Sequence, residues 1–280
     1  MNSRSTNWCN AGKSYVWLRN NKTIMPCCAL STAESDPLQF ELNDDVNFVD
    51  VMNSSDFVEA IKPLEKGPLA KNRCQQCLTD EKYSIRNKVN KHANTVSVGA
   101  RGEVVKDPFY LKIDLSNKCN LKCIMCNSRR STGWIKDEQK LFEAGIINKN
   151  EIASYDKLPD QWWKVNDNNW WKNVTQIEIS GGEPFYEPML IEFFEFLLSI
   201  GKSNTNITII TNLTLYNKDI ENILKKFTNV KLFCSVDAWQ EDVYQYSRGG
   251  IYTLDVIKEN IIKLSNIVSW ISIIDTVHCT

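Results

Sequence analysis

Beyond residue 108 the chain alternates short apolar runs with amphipathic stretches. Segments 109–115, 176–180, 206–211, 230–236 and 270–277 are brief and rich in Ile, Val or Phe, the signature of strands. Between them, 189–200, 218–227 and 254–267 carry apolar residues at helical spacing. In the last of these, Leu254, Ile257, Ile261, Ile262 and Leu264 recur at helical spacing. Strand and helix in turn predict an α/β fold, a parallel sheet joined by right-handed crossovers. Chemistry then belongs at the carboxyl ends of the strands.

Those ends are occupied by unusual residues. The first strand runs into Cys119, Cys123 and Cys126, and the second into Gly181, Gly182, Glu183 and Pro184. Thr211 and Asn212 end the third, Ser235 and Asp237 the fourth. The Cys-x3-Cys-x2-Cys spacing offers three thiolates to a cube with four iron corners, leaving one corner open for a ligand. A structural metal site closes its coordination with protein, so an open corner points to chemistry at the metal.

The cysteine run resembles the cluster loop of the radical S-adenosylmethionine (radical SAM) superfamily, and residues 179–184 resemble its Gly-Gly-Glu-Pro segment. The resemblance implies a partial (β/α) barrel of six units and a 4Fe-4S cluster on Cys119, Cys123 and Cys126, which are the catalytic positions. It further implies that SAM chelates the open iron and is reductively split, giving methionine and a 5′-deoxyadenosyl radical that abstracts hydrogen. Cofactor contacts are implied for Met125 near the adenine, for Gly181, Gly182, Glu183 and Pro184 near the amino group, and for Asn212. Ser235 and Asp237 fit the ribose, and Arg248, in a Tyr-x-Arg-x-Gly stretch, fits the SAM carboxylate. Met125 as ordinary core, Asp237 as a turn or cap and Arg248 as a surface residue stay open alternatives. Five strands are recognisable and the fifth reaches the end of the sequence, so a truncated reading frame, lacking the sixth strand, is expected.

Ahead of the barrel lie Cys9, Cys27, Cys28, Cys74 and Cys77. Ligands drawn from distant loops, two of them at Cys-x2-Cys spacing, suit either zinc or a second cube. Cys9, Pro26, Cys27, Cys28, Cys74 and Cys77, followed by Glu81, Ser84 and Arg86, resemble the twitch/SPASM-type domains that hold auxiliary clusters. The match lacks a third ligand after Cys77, where Tyr83 stands, and has Asn20 and Asn21 in place of a glycine. The resemblance implies one auxiliary 4Fe-4S cluster on Cys9, Cys27, Cys74 and Cys77, with Cys28 an alternative to Cys27, serving as electron acceptor or, through an open iron, as a substrate site. Two domains are therefore expected, a Cys-rich one over residues 1–100 and the radical SAM core over 101–280.

Composition narrows the setting. The 33 Lys and Arg nearly balance the 34 Asp and Glu, which argues against a nucleic-acid partner. Residues 1–20 lack the apolar core of a signal peptide, and no apolar stretch is long enough for a bilayer, so no membrane partner is expected. Ten cysteines in short-range clusters without an export signal suit metal ligation in a reducing cytoplasm. With two histidines, a histidine base is not expected. The implied partners are SAM, a reductant protein such as flavodoxin or ferredoxin, and a peptide or small-molecule substrate. A zinc-bound interaction module and a catalytically degenerate relative are the competing readings. The five tryptophans of segment 134–173 are expected to pack a helix onto the barrel exterior in preference to stacking on substrate.

Overall fold

The computed structural model describes residues 9, 11, 14–28, 38–43, 47–65, 74, 77, 110–164, 168–249 and 251–274. Glu81, Ser84 and Arg86 lie outside them. The chain divides into two compact units, one of Met1–Lys112 with Trp162–Thr175, the other of Ile113–Gln161 with Gln176–Thr280.

In the first unit β1 (Tyr15–Arg19), β2 (Thr23–Met25) and β3 (Phe40–Glu41) pair antiparallel, with Trp17 opposite Met25 and Ile24 opposite Phe40. Both faces of β1 and β2 are buried. Two short helices, α1 (Phe48–Met52) and α2 (Ser55–Ile61), begin at Asn47 and Ser54, whose side chains accept the N–H groups of Val49 and Phe57. The Phe48 ring sits among Trp170, Trp162 and Trp171 at centroid distances of 5.0, 6.0 and 6.4 Å, each edge-on. Trp171 is fully buried and its indole N–H donates to the Trp163 carbonyl at 3.1 Å. Four of the five tryptophans thus build this unit's core, and the expected helix on the barrel exterior is not what they form. The reason lies in Phe48, an apolar anchor more than a hundred residues upstream that no local pattern reveals.

The second unit is the α/β core. The sheet order β4 (Tyr110–Asp114), β5 (Gln176–Ser180), β6 (Asn206–Thr211), β7 (Asn229–Ser235), β8 (Trp270–Ile274) follows the sequence without reversal, and β5 to β8 pair in parallel. Unreversed order with right-handed crossovers puts the connections on one face and curls the sheet toward a barrel. The connections include α3 (Ile135–Glu143), α4 (Met189–Ser199), α5 (Lys218–Leu224), α6 (Glu241–Arg248) and α7 (Leu254–Ser265). Ile177, Ile179, Ile207, Ile209, Val230, Leu232 and Cys234 are buried, whereas Glu178, Thr208 and Lys231, aligned across three strands, are partly or fully exposed. Alternation puts the buried apolar set on one face, and the other carries polar side chains together with half-buried Ile210 and Phe233. The mixed α/β class and the strand assignments stand, with ends shifted by a few residues. Helix α6, which the apolar pattern leaves unmarked, is amphipathic and ends at Gly249 in a left-handed cap.

Removing the Trp171 indole leaves a large cavity beside Phe48. Trp171→Ala is expected to destabilise the first unit by about 3–5 kcal/mol in urea unfolding followed by fluorescence. A loss below about 1 kcal/mol would show that the indole cluster is not core.

Candidate active site

The cysteine loop leaves β4 and is tied down first by main chain. Gly182 N–H donates to the Ser116 carbonyl at 2.7 Å, Glu183 N–H to that of Lys118 at 2.9 Å, and Ile124 N–H to that of Ser247 at 2.9 Å. A β-carbon on Gly182 would lie 2.2 Å from the Lys118 oxygen, and one on Gly249 2.1 Å from the Lys122 oxygen. One on Gly181, whose φ is 126°, would lie 2.5 Å from the Ser116 oxygen. Glycine is therefore required at these positions by the loop's own backbone.

Side chains complete the clamp. Asn117 is fully buried, donates to the carbonyls of Ser128 and Ser154 at 2.9 and 2.6 Å, and accepts from Asp156 N–H at 2.9 Å. Ser131 Oγ donates to the Leu121 carbonyl at 2.6 Å, and the Trp134 indole to that of Cys123 at 3.0 Å. Arg130 reaches back to buried Asp114 at 2.9 Å. None of these residues was singled out from sequence; a polar residue beside a cysteine loop is the one available signal, and it is weak.

Glu183 links two strand ends. Its Oε1 accepts from Thr211 Oγ1 at 2.6 Å and Phe185 N–H at 3.0 Å, its Oε2 from Asn212 N–H at 2.7 Å. Burial pushes its carboxyl up to about 6, against the pull of those hydrogen bonds. Asn212 in turn donates to Asn120 Oδ1 at 3.0 Å and lies 3.9 Å from Cys119 Sγ. Leu213, next along, is fully buried at φ 56° and is held there by Asn260, which donates to its carbonyl at 3.0 Å.

The three thiols differ in setting. Cys119 accepts from Leu121 N–H at 3.4 Å, and burial pushes its thiol up to about 12. The Cys123 and Cys126 thiols act on each other's ionisation. Their interaction, with burial, raises Cys123 against the opposing Arg248 guanidinium, and it lowers Cys126. Protons must leave when a metal binds, because coordination deprotonates a thiol. Among the described residues no three His, Cys, Asp or Glu side chains converge as the ligands of a single ion would. A cube places its thiolates on separate iron corners. The donor set fits such a cluster, with soft thiols and one adjoining buried carboxylate. The surroundings also fit a sulfonium cofactor: Ile124 and Met125 are 43% and 40% exposed beside the thiols, and the buried Arg248 Nε makes no hydrogen bond.

Other expected contacts fall as follows. Strand β7 ends at Ser235, which is half-buried, and Asp237 adopts φ 67°, which breaks the strand alternation. Asp237 pairs with Arg248, Oδ2 to Nη2 at 2.7 Å. Pro184 begins a single helical turn just after the Glu183 cap. Cys234 is buried on the helix-facing side and its thiol is pushed up to about 12 by burial. In the first unit, Cys9 and Cys27 belong to one buried apolar cluster against which Cys28 packs, Cys77 is buried and Cys74 half-buried. Cys9 Sγ accepts from Ala11 N–H at 3.4 Å, the same two-residue arrangement as at Cys119.

The sequence profile of the radical SAM superfamily matches residues 113–276, more than half of the chain. The chain belongs to the radical SAM superfamily. It is similar to the GTP 3′,8-cyclase of Listeria welshimeri, at 26% identity over 154 residues, 53% of this chain and 41% of that protein. The corresponding enzyme of Thermodesulfovibrio yellowstonii is 31% identical over 139 residues, 46% of this chain and 37% of that one. The Bacillus subtilis subtilosin biosynthesis protein AlbA is 25% identical over 169 residues, 59% and 32%. The chain thus spans well under half the length of these relatives. Among solved structures, Streptococcus suis SuiB bound to its precursor peptide SuiA aligns at a TM-score of 0.42 and 14% identity, covering 98% of this chain and 58% of that one. The enzyme anSMEcpe with bound AdoMet aligns at 0.43 and 18%, covering 60% and 42%.

Because the Glu183 carboxyl titrates near 6 in the fold against an ordinary 4.5, its contribution to stability is complete below 4.5 and is lost as pH rises through 6. A shift of this size is about 2 kcal/mol. In iron-free protein, wild type should lose about that much stability relative to Glu183→Gln between about pH 4 and pH 7. Parallel pH profiles in chemical denaturation would contradict it.

Proposed function

We propose that the chain is a radical SAM enzyme whose 4Fe-4S cluster sits on Cys119, Cys123 and Cys126 and whose SAM site lies among Met125, Gly181, Gly182, Glu183, Pro184, Asn212, Ser235, Asp237 and Arg248. Cluster and SAM, when bound, supply reductive cleavage of a carbon–sulfur bond and a 5′-deoxyadenosyl radical able to abstract hydrogen. The observation that carries the reading is the clamped three-cysteine loop, fixed by glycine turns against the strand ends of a superfamily core. The chain's own contribution is placement. Glu183 joins the ends of β5 and β6, Leu121 N–H and Asn212 point donors at the Cys119 sulfur, and the exposed Ile124 and Met125 offer an apolar surface for an adenine ring.

One sheet face carries Glu178, Thr208 and Lys231 in register beside Ile210 and Phe233, a mixed surface that suits a substrate with both polar and apolar parts. Relatives named for GTP cyclisation and for bacteriocin biosynthesis support a small molecule or a peptide. An auxiliary 4Fe-4S cluster on Cys9, Cys27 or Cys28, Cys74 and Cys77 is part of the same proposal. Support comes from the shared burial of Cys9 and Cys27 and from the N–H···S bond at Cys9, which favours thiolate. We assign the enzyme to the cytoplasm, with its electron from a flavodoxin- or ferredoxin-type reductant.

Anaerobically reconstituted protein with SAM and a chemical reductant is expected to release 5′-deoxyadenosine, and Cys123→Ala to reduce the release to background. Undiminished release by that variant would overturn the assignment. Replacing Cys9 and Cys74 together by Ala should remove one cluster's worth of iron per chain while SAM cleavage persists. Unchanged iron content, or zinc in its place, would contradict the auxiliary cluster.

A further inference from the structure

We propose that the buried Arg248–Asp237 pair sets the reduction potential of the cluster at Cys119, Cys123 and Cys126, the two residues acting with opposite sign. This rests on the cluster reading of the loop. Arg248 is the last residue of α6 and is 7% exposed. Its Nη2 pairs with Asp237 Oδ2 at 2.7 Å, its Nη1 lies 3.8 Å from Cys123 Sγ, and its Nε makes no hydrogen bond. The Asp237 side chain is 1% exposed. Both charges are therefore out of water, the guanidinium 3.8 Å from one ligand sulfur and the carboxylate joined to it through the guanidinium.

Their distance to the loop is held by the main chain. Ile124 N–H donates to the carbonyl of Ser247, the neighbour of Arg248, and Gly249 touches the Lys122 carbonyl with no room for a β-carbon. The left-handed backbone at Asp237 turns its carboxylate toward the guanidinium. The backbone that carries Arg248 is thus fixed to the loop, and the pair with Asp237 holds the guanidinium.

Reducing the cluster adds one electron, delivered by the external reductant, and no other bond or proton need change. A nearby buried cation stabilises the added negative charge, and a buried anion opposes it. Arg248 thus makes the cluster easier to reduce, and Asp237 restrains that effect while anchoring the guanidinium. On the surface this arrangement would be screened by water and salt; buried side chains are screened less.

The test is a redox titration of the anaerobically reconstituted full chain, followed by the EPR signal of the cluster that responds to SAM. Arg248→Gln should move the midpoint to more negative potential and Asp237→Asn to more positive, while Arg248→Lys, which keeps the charge, should stay near wild type. A purely structural role gives no reason for opposite signs. Coincident midpoints, shifts of the same sign in Arg248→Gln and Asp237→Asn, or an equal fall in Arg248→Lys and Arg248→Gln would each overturn the proposal. The last comparison decides alone if Asp237→Asn fails to fold. A wild-type chain with no reducible cluster would instead overturn the reading of the loop, so the two failures are distinct.

Discussion

Lys118 and Lys122, on either side of Cys119, present their carbonyl oxygens to glycines so closely that a β-carbon there would stand 2.2 and 2.1 Å away. One glycine comes from the turn after β5, the other from the cap of α6, so elements far apart in sequence meet on one short loop. Main-chain contact of this kind leaves almost no slack, because moving the loop means moving a strand end or a helix end. Everything chemical in the second unit depends on that rigidity. Thiols on a loose loop would hold a cluster in many poses, and a cofactor aligned on an open iron needs one.

Around that fixed loop the polar groups are arranged to share sulfur and carboxylate charge. Leu121 N–H and Asn212 approach Cys119, and Arg248 approaches Cys123. Glu183 spends both oxygens on neighbouring strand ends, which explains how a fully buried carboxylate is tolerated. The left-handed backbones at Leu213 and Asp237 follow directly after β6 and β7. Backbone strain placed there, at a cost of order 1–3 kcal/mol each, is sustained by Asn260 and Arg248 and sits where the site needs sharp turns.

Much of this was readable from the chain. Alternating β-rich and helical runs placed β4 to β8, because a strand with one buried face must carry apolar residues at every second position, as Ile177, Ile179, Ile207 and Ile209 do. The three cysteines and the two glycines stood out by spacing. That the glycines also lie against the carbonyls of Ser116 and Lys118 did not stand out. Tertiary partners stayed hidden for the same reason. Nothing local to Asp237 or Arg248 says that they pair, and nothing local to Trp162 or Trp171 says that they pack on Phe48. Helix α6 escaped notice because its buried residues include Ser247 and Arg248, which do not register as an apolar stripe.

The open iron corner is tested most directly by EPR of the reduced, anaerobically reconstituted protein recorded before and after SAM is added. A cluster held by only the three loop cysteines has a coordination site to offer, so its signal should change shape on binding. A cluster whose spectrum is indifferent to SAM would mean that the fourth corner is already closed, and the chemistry assigned to this site would not be available to it.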